Sequence, residues 1–374
     1  MRNISSDVVR LIAQTAAGQD AFGQEPVHIR ALLSVCQLWR TASLSVYCSC
    51  ITVCMPADRI ALYWARKGLS ATKARALGWH IFARQAVVIV SGRQPNVPYD
   101  AITALNSVFR RVTCVKLHAT TNPGPVFSAL LVAFPALRQI KLEATNTQIS
   151  RTMHAPTSLT HMEVTSCPAF AVCATIPCLR SLVLNMAGTH TNALAFARQH
   201  ARTLVKLVVK HIHVRDCPML VLDEHNKCVE YVHVQVLRLD VLGAYNPELV
   251  AQRAHVQGTP FPSLQYLNCG SLYPFANNIL LRGAHRTLRV LIISIDTTVA
   301  AWLLPEATCL RKYTRLAGME ARIVSRADVG NTQNIAIHAR VLDAAFQSPH
   351  MQWLRIKYPN SHTAEYSSKH KIKL

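Results

Sequence analysis

The sequence has few acidic residues for its length. Its 374 residues contain 19 Asp and Glu against 40 Lys and Arg, which gives a formal net charge of +21 at pH 7. Such a charge attracts polyanions and acidic proteins but does not bear on the fold. The basic residues are spread along the chain and do not form a block, so no nucleic-acid-binding tail is indicated and nucleic acid is not expected as the main partner.

Long apolar runs are also absent. Apolar stretches such as 129–133 and 290–293 are much shorter than the roughly 18 to 20 residues that a membrane-spanning helix needs. The first residues become acidic at Asp7, where a secretory signal would need an apolar core. We therefore expect an intracellular protein, cytoplasmic or nuclear, that has no membrane partner.

Glycine is scarce, with 13 residues, and the spacings typical of catalytic and metal sites are missing. There is no nucleophile elbow, no glycine-rich phosphate loop and no helical zinc-binding histidine pair. The densest cysteine group, Cys48, Cys50 and Cys54, lacks the paired spacing of a zinc site. Cys36 is expected to be a buried, unreactive thiol. We predict a protein that is not an enzyme and that needs no cofactor and no metal ion.

A short apolar motif with the spacing Leu-x-x-Leu-x-Leu recurs from about residue 108. Copies begin at Val112, Leu137, Leu159, Leu179, Leu204, Val234, Leu264, Leu288 and Met351, with a weaker copy at Leu310. The first eight starts are 25, 22, 20, 25, 30, 30 and 24 residues apart, and leucine-rich repeats have periods of roughly 20 to 29. The second and third apolar residues of a copy are two apart, so on a strand both point into a core between stacked repeats.

This pattern resembles the leucine-rich-repeat family. The resemblance implies an α/β fold, a leucine-rich-repeat solenoid shaped as an irregular horseshoe with a parallel concave sheet. Helix-like stretches at 125–134 and 192–201 fit between the strands. The family's Asn or Cys at the turn after the motif occurs only once, as Cys167, so the other turns must be satisfied in another way. An all-helical repeat stack is the alternative architecture, because alanine is plentiful and the motif is short.

The N-terminal residues predict a different unit. Ser5 or Ser6 can cap a short amphipathic helix, and a second helical pattern runs from Ile29 to Trp39. The segment Leu32-Leu33-Ser34-Val35-Cys36-Gln37-Leu38-Trp39-Arg40 resembles the Val-Cys-x-x-Trp-Arg signature of the F-box, and Ile4, Ser5, Asp7 and Val8 stand where that family has Leu, Pro, Glu and Leu. The alternative is that these helices simply cap the repeats, with Trp39 in the core.

The F-box resemblance implies three parts and a function. A small all-α F-box-like segment at 1–55 would precede a helical joint or cap at 56–107 and the repeats with a short basic tail at 108–374. The implied adaptor-binding residues are Ile4, Val8, Leu11, Leu32, Leu33 and Trp39. The implied function is the substrate-recognition subunit of an SCF-type cullin-RING ubiquitin ligase, bound to a Skp-type adaptor and through it to a cullin. The alternatives are a leucine-rich-repeat scaffold or inhibitor with no ligase link, and a basic nucleic-acid-associated protein.

The residues between the apolar positions of each copy should face outward on the concave sheet, the usual binding face of a solenoid. The candidates for target binding are Lys116, His118, Lys141, Lys206, Lys210, Arg238, Tyr266, Trp353, Arg355 and Lys357. Since most are basic and two are aromatic, the expected partner is an acidic or phosphorylated target protein. The alternative is that these are ordinary solvated positions.

Overall fold

The fold is that of a computed structural model, in which β-strands are the main element. The structure describes residues 5, 8–9, 11–12, 35–37, 39–40, 50–56, 63–64, 69–70, 81, 83–91, 110–119, 127, 130–131, 134–144, 147–149, 158–165, 170–172, 176–185, 191–213, 216–242, 258–269, 283–296, 313–324, 341, 350–358 and 363–367. The chain divides into two compact units, Met1–Leu179 and Arg180–Leu374.

The first unit is a mainly parallel sheet. Its strands are β1 (Cys50–Pro56), β2 (Tyr63–Trp64), β3 (Leu69–Ser70), β4 (Gln85–Ser91), β5 (Cys114–Ala119), β6 (Gln139–Ala144), β7 (Thr147–Ile149), β8 (His161–Thr165) and β9 (Phe170–Val172). Strands β1, β4, β5, β6 and β8 lie side by side in that order and are parallel. Strands β2 and β3 extend the sheet beyond β1 in antiparallel fashion, and β7 pairs with β9 in a separate small sheet.

The second unit repeats the arrangement with more strands. Its elements are β10 (Ser181–Asn185), α1 (Thr191–Gln199), β11 (Lys206–His213), α2 (Cys217–Val221), β12 (Val236–Leu242), β13 (Tyr266–Cys269), a short 3-10 helix (Ala284–Arg286), β14 (Val290–Asp296), β15 (Gly318–Val324), β16 (Trp353–Lys357) and β17 (Thr363–Ser367). Strands β10 to β16 are parallel neighbours in chain order, and β17 pairs antiparallel with β16.

The apolar motif residues form the core on one side of each sheet. The second motif residue of successive copies aligns across the strands, so that Leu207, Leu237, Leu267 and Leu291 are in register and all are buried. The first motif residue, for example Leu264, lies in the turn before its strand and is also buried. Each strand therefore contributes alternate side chains to one continuous apolar layer, as a parallel sheet requires.

The backbone N–H groups at the start of the strands donate to backbone carbonyls of the preceding repeat. The N–H groups of Gln235 and Val236 both donate to the carbonyl of Val205, and those of Gln265 and Tyr266 both donate to the carbonyl of Gln235. A hydroxyl before the motif adds a further bond, since Ser263 Oγ donates to the Val232 carbonyl at 2.6 Å. These bonds satisfy backbone polar groups where the chain enters each strand.

The prediction of an all-α segment at the N-terminus is wrong. The region 1–55 was expected to be all α, but β1 begins within it at Cys50 and pairs in parallel register with β4. The described residues 8–9, 11–12, 35, 37, 39 and 40 are helical, but with β1 in the same region the described residues do not form an all-α segment. Ile51, Thr52 and Val53 are β-branched and favour a strand over a helix.

The expected α/β leucine-rich-repeat solenoid is also corrected, to a mostly parallel β-sheet. Among the described residues only α1 and α2 are complete α-helices, and α2 has 5 residues. Helix α1 lies where the sequence predicts one, at 192–201, and buries Leu194, Phe196 and Ala197. The other described connections are mainly turns, because the paired N–H groups and hydroxyls hold one repeat on the next without a helix. No helix in this part of the chain is long and apolar enough to cross a membrane.

Candidate functional site

The residues implied in adaptor binding lie only partly within the described chain. Ile4, Leu32 and Leu33 lie outside the described residues. Val8 and Leu11 are helical, with 48% and 63% of their surface exposed, and Trp39 is half-buried.

One face of this N-terminal region is apolar and open to solvent. Val9 is fully buried, whereas Val8, Leu11 and Ile12, which lie at helical spacing on one face, are exposed. Exposed aliphatic side chains in proximity are unfavourable in water and are typical of surfaces that bind another protein. The expected burial of Cys36 is wrong, because its thiol is exposed.

The outer face of the first unit, meaning the side chains that alternate with its core residues, is close to electrically balanced. Lys116 Nζ lies 3.0 Å from Glu143 Oε2, and Lys141 Nζ lies 3.1 Å from Glu163 Oε1. His118 Nδ1 lies 3.4 Å from the same oxygen of Glu143. The three basic candidates of this unit are thus brought together, but around two glutamates.

The pKa of Glu143 reflects this arrangement. Partial burial raises the pKa of this carboxyl, but the hydrogen bond and charge of Lys116, together with the charge of Lys141, outweigh that effect. The pKa of Glu143 therefore lies below its ordinary value, and the carboxylate remains charged near neutral pH. An acidic partner would have to compete with it for both lysines.

In the second unit, the buried carboxylate of Glu320 forms ion pairs with several basic residues of β15 and β16. Glu320 on β15 is 4% exposed, and three cations surround it. Its Oε1 lies 2.7 Å from Arg322 Nε and 3.1 Å from Lys357 Nζ, and its Oε2 lies 3.5 Å from Arg355. Arg355 Nε also contacts Glu365 of β17 at 2.7 Å. Two of the predicted target-binding cations, Arg355 and Lys357, are therefore engaged within the protein.

The two aromatic candidates are separated on the outer face of this unit. Trp353 lies against Gly318 of the neighbouring strand, where a Cβ atom would approach the indole Cε2 to 2.1 Å. Tyr266 is half-buried between its register partners Val236 and Val290. Glycine at 318 is thus required by close approach, because any side chain there would displace the tryptophan.

Strand β11 carries two lysines that form no ion pair, unlike the other lysines and arginines of the described strands. Lys206 and Lys210 make no ion pair, whereas every other Lys or Arg of the described strands lies within 4.0 Å of a carboxylate. Arg238 on β12 belongs to the paired group, since its Nε lies 3.3 Å from Asp240 Oδ1.

An irregularity of β11 includes the second of these lysines, Lys210. The register with β12 shifts between Val209 and Ile212, and His211 adopts a left-handed backbone with φ 59°. The His211 Nδ1 atom lies 2.8 Å from Asn185 Oδ1 on β10. Such bulges redirect side chains and often occur near binding sites.

The sequence predicted Glu163 and Asp240 on the outer face, but two of the acidic partners, Glu143 and Glu320, were missed. Glu143 lies two residues beyond Lys141, so continuing the strand alternation by one step would have identified it. Glu320 was missed for a different reason, because the repeat copy in this region was placed at Leu310 and β15 begins at Gly318.

The basic side chains of the outer faces are suited to binding negatively charged groups. No cluster of metal-ligating side chains occurs in the described ranges. No protein-family model matches the sequence, and none of the curated proteins is significantly similar to it.

Proposed function

We propose that this protein is a non-enzymatic substrate-recognition subunit of an SCF-type cullin-RING ubiquitin ligase. It binds a Skp-type adaptor through its N-terminal residues and a target protein on the outer face of its sheet. Ubiquitin transfer is performed by the partner subunits, and this chain supplies binding geometry alone.

The exposure of Val8 and Leu11 is the observation that best supports this proposal. The F-box resemblance assigns both residues to the adaptor, and both are exposed next to the fully buried Val9. If the region only capped the sheet, its apolar residues would pack inward. An open apolar face is instead what a docking helix needs before its partner binds.

The sheet is suited to presenting a target. Its outer-face side chains project from strands whose register is fixed over many neighbours, and rigid elements hold binding groups more accurately than loops do. The target surface therefore keeps one geometry while the N-terminal region holds the adaptor.

Co-purification of the full chain with a Skp-type adaptor from the same source tests the proposal. Leu11→Asp places a charge in the apolar face, and we expect adaptor binding to fall by about tenfold or more. Leu242→Asp is the matched control, because Leu242 is 48% exposed at the end of β12, far along the sequence from the N-terminal face. The control should bind as the wild type does.

The outcomes separate the alternatives. A folded wild-type protein that ignores the adaptor would exclude the ligase function and leave a scaffold or inhibitor with no ligase link. Equal loss in both variants would show that a general charge change, and not the N-terminal face, affects binding. Binding to any polyanion with steep loss at high salt would favour a basic nucleic-acid-associated protein.

A further inference from the structure

The unpaired lysines of β11 lie in a surface that combines charge with apolar area. Lys206 and Lys210 are four residues apart, so by strand geometry their Cα atoms are about 13 Å apart on the same side of the sheet. Val208 lies between them and is 7% exposed. Its register partners are Val183 on β10 and Arg238 on β12.

The neighbouring strands add apolar side chains beside Val208 and beside Lys206. Val183 and Val236, the latter in register with Lys206, are both half-buried. We call the surface formed by Lys206, Lys210, Val183, Val208 and Val236 the β11 patch. Two unpaired positive charges, with Val208 between them and Val183 beside it, match a ligand that has acidic ends and an apolar middle.

The spacing of the cations favours carboxylates over a single phosphate group. Phosphate is best held by a guanidinium fork or by several donors that converge on it. The guanidinium of Arg238, the nearest arginine in register, is already engaged by both carboxylate oxygens of Asp240, each at 3.3 Å. The two lysines that remain are point charges at the two ends of the patch and do not form the planar fork that holds a phosphate best.

The same spacing argues against a nucleic-acid strand. The phosphates of a duplex follow one another about every 3.4 Å of axis on each strand, and binding them takes a dense row of cations. The β11 patch offers two lysines, with Val208 between them, and no dense row of cations. An extended protein segment matches these features better.

We propose that the β11 patch binds an extended acidic segment of the target protein. Its acidic residues are spaced four apart, and an apolar residue lies midway. In an extended segment the residues i, i+2 and i+4 share one side, so the two carboxylates reach Lys206 and Lys210 while the middle side chain lies over Val208 and its register partner Val183. This inference rests on the target-binding part of the proposed function and not on the adaptor.

The test uses the full chain and two labelled peptides of equal composition. One has two glutamates four residues apart with a valine midway, and the other has the glutamates adjacent. We expect the spaced peptide to bind the wild type more tightly by fluorescence anisotropy at low salt. The double variant Lys206→Gln with Lys210→Gln should lose about fivefold in affinity for it, the size expected of two exposed ion pairs.

A matched control removes the same charge elsewhere. Arg202 and Lys227 are exposed and lie in connecting segments of the same unit, so Arg202→Gln with Lys227→Gln lowers the net charge equally outside the patch. The control should retain wild-type affinity, and a thermal melt should show that both double variants are folded.

Three results would overturn the proposal. Equal affinity for the two peptides would show that spacing is not recognised. An equal loss of peptide affinity in the two double variants would show that binding depends on net charge alone. Tighter binding of duplex DNA than of the spaced peptide, lost equally in both variants, would indicate a general polyanion surface. None of these results depends on adaptor binding, so the ligase proposal stands or fails separately.

Discussion

At the scale of single residues, Glu320 shows how burial and charge are balanced in this protein. Burial raises the pKa of this carboxyl, but the hydrogen bonds and charges of Arg322 and Lys357 outweigh burial and hold the pKa below its ordinary value of about 4.5. The carboxylate is thus charged at neutral pH although it is nearly inaccessible. Removing it leaves three cations close together without their shared partner.

Glu320→Gln is therefore expected to lower the free energy of unfolding by about 2 kcal/mol at pH 7. Because the folded pKa is depressed, the contribution is present above the unfolded pKa and is lost as pH falls through the folded pKa. Urea unfolding at pH 7 and pH 3.5 should show the difference between wild type and variant shrinking at the lower pH.

Glu365→Gln is the control for this experiment. Glu365 is mostly exposed and contacts only Arg355 of the cluster, so its loss should change the free energy of unfolding by no more than about 0.5 kcal/mol. A difference for Glu320→Gln that is the same at both pH values would contradict a charged, stabilising carboxylate.

The outer-face positions could be predicted from sequence, but their ionic state could not. Strand alternation correctly places Lys206, Arg238 and Arg355 outside the core, since their neighbours Leu207, Leu237 and Leu354 are buried. Whether a cation is paired depends on the register between strands far apart in sequence. Lys116 meets Glu143 across 27 positions only because β5 and β6 pair with Cys114 opposite Gln139.

At the scale of elements, each strand separates a core face from a solvent face. On β12, Leu239 is fully buried and Arg238 is exposed apart from its contact with Asp240. Leu239→Ala should cost about 3 kcal/mol of unfolding free energy through lost burial and a cavity. Arg238→Ala should cost no more than about 0.5 kcal/mol, since exposed ion pairs contribute little.

Denaturant unfolding of these two variants beside the wild type measures the contrast. Similar costs at the two positions would mean that Arg238 is packed as tightly as the core, which would contradict the assignment of the faces.

The repeat spacing predicted where most strands lie but not all of them. The strands that follow the strong copies, such as β11 after Leu204 and β13 after Leu264, are where the motif places them. Strand β4 was missed because its motif positions include Ala83 and Ala86, which do not stand out as apolar markers. The described residues contain fewer complete helices than the sequence predicted, although residues 127, 130 and 131 of the predicted helix at 125–134 are helical. The bonds between neighbouring repeats are made by backbone N–H groups and hydroxyls, which leave no sequence signature.

At the scale of the whole molecule, the net charge of +21 acts on every partner. Binding to duplex DNA should depend steeply on salt, with about a hundredfold loss between roughly 50 and 200 mM because many counterions are released. Binding of the spaced peptide should fall only severalfold over the same range, since two lysines are involved. Anisotropy titrations at the two salt concentrations measure both, and parallel losses would contradict a local site.

The turn bonds of the second unit also bear on how such a chain changes over generations. The N–H groups of Gln265 and Tyr266 donate to the carbonyl of Gln235, one repeat earlier in the sequence. The carbonyl of Gln265 in turn accepts from the N–H groups of Arg289 and Val290. A tandem duplication of residues 234–263 would therefore bring with it both the acceptor it needs and the acceptor the next strand needs. The sheet can thus gain or lose a strand by copying of the coding sequence while the N–H groups at these strand entries keep their acceptors.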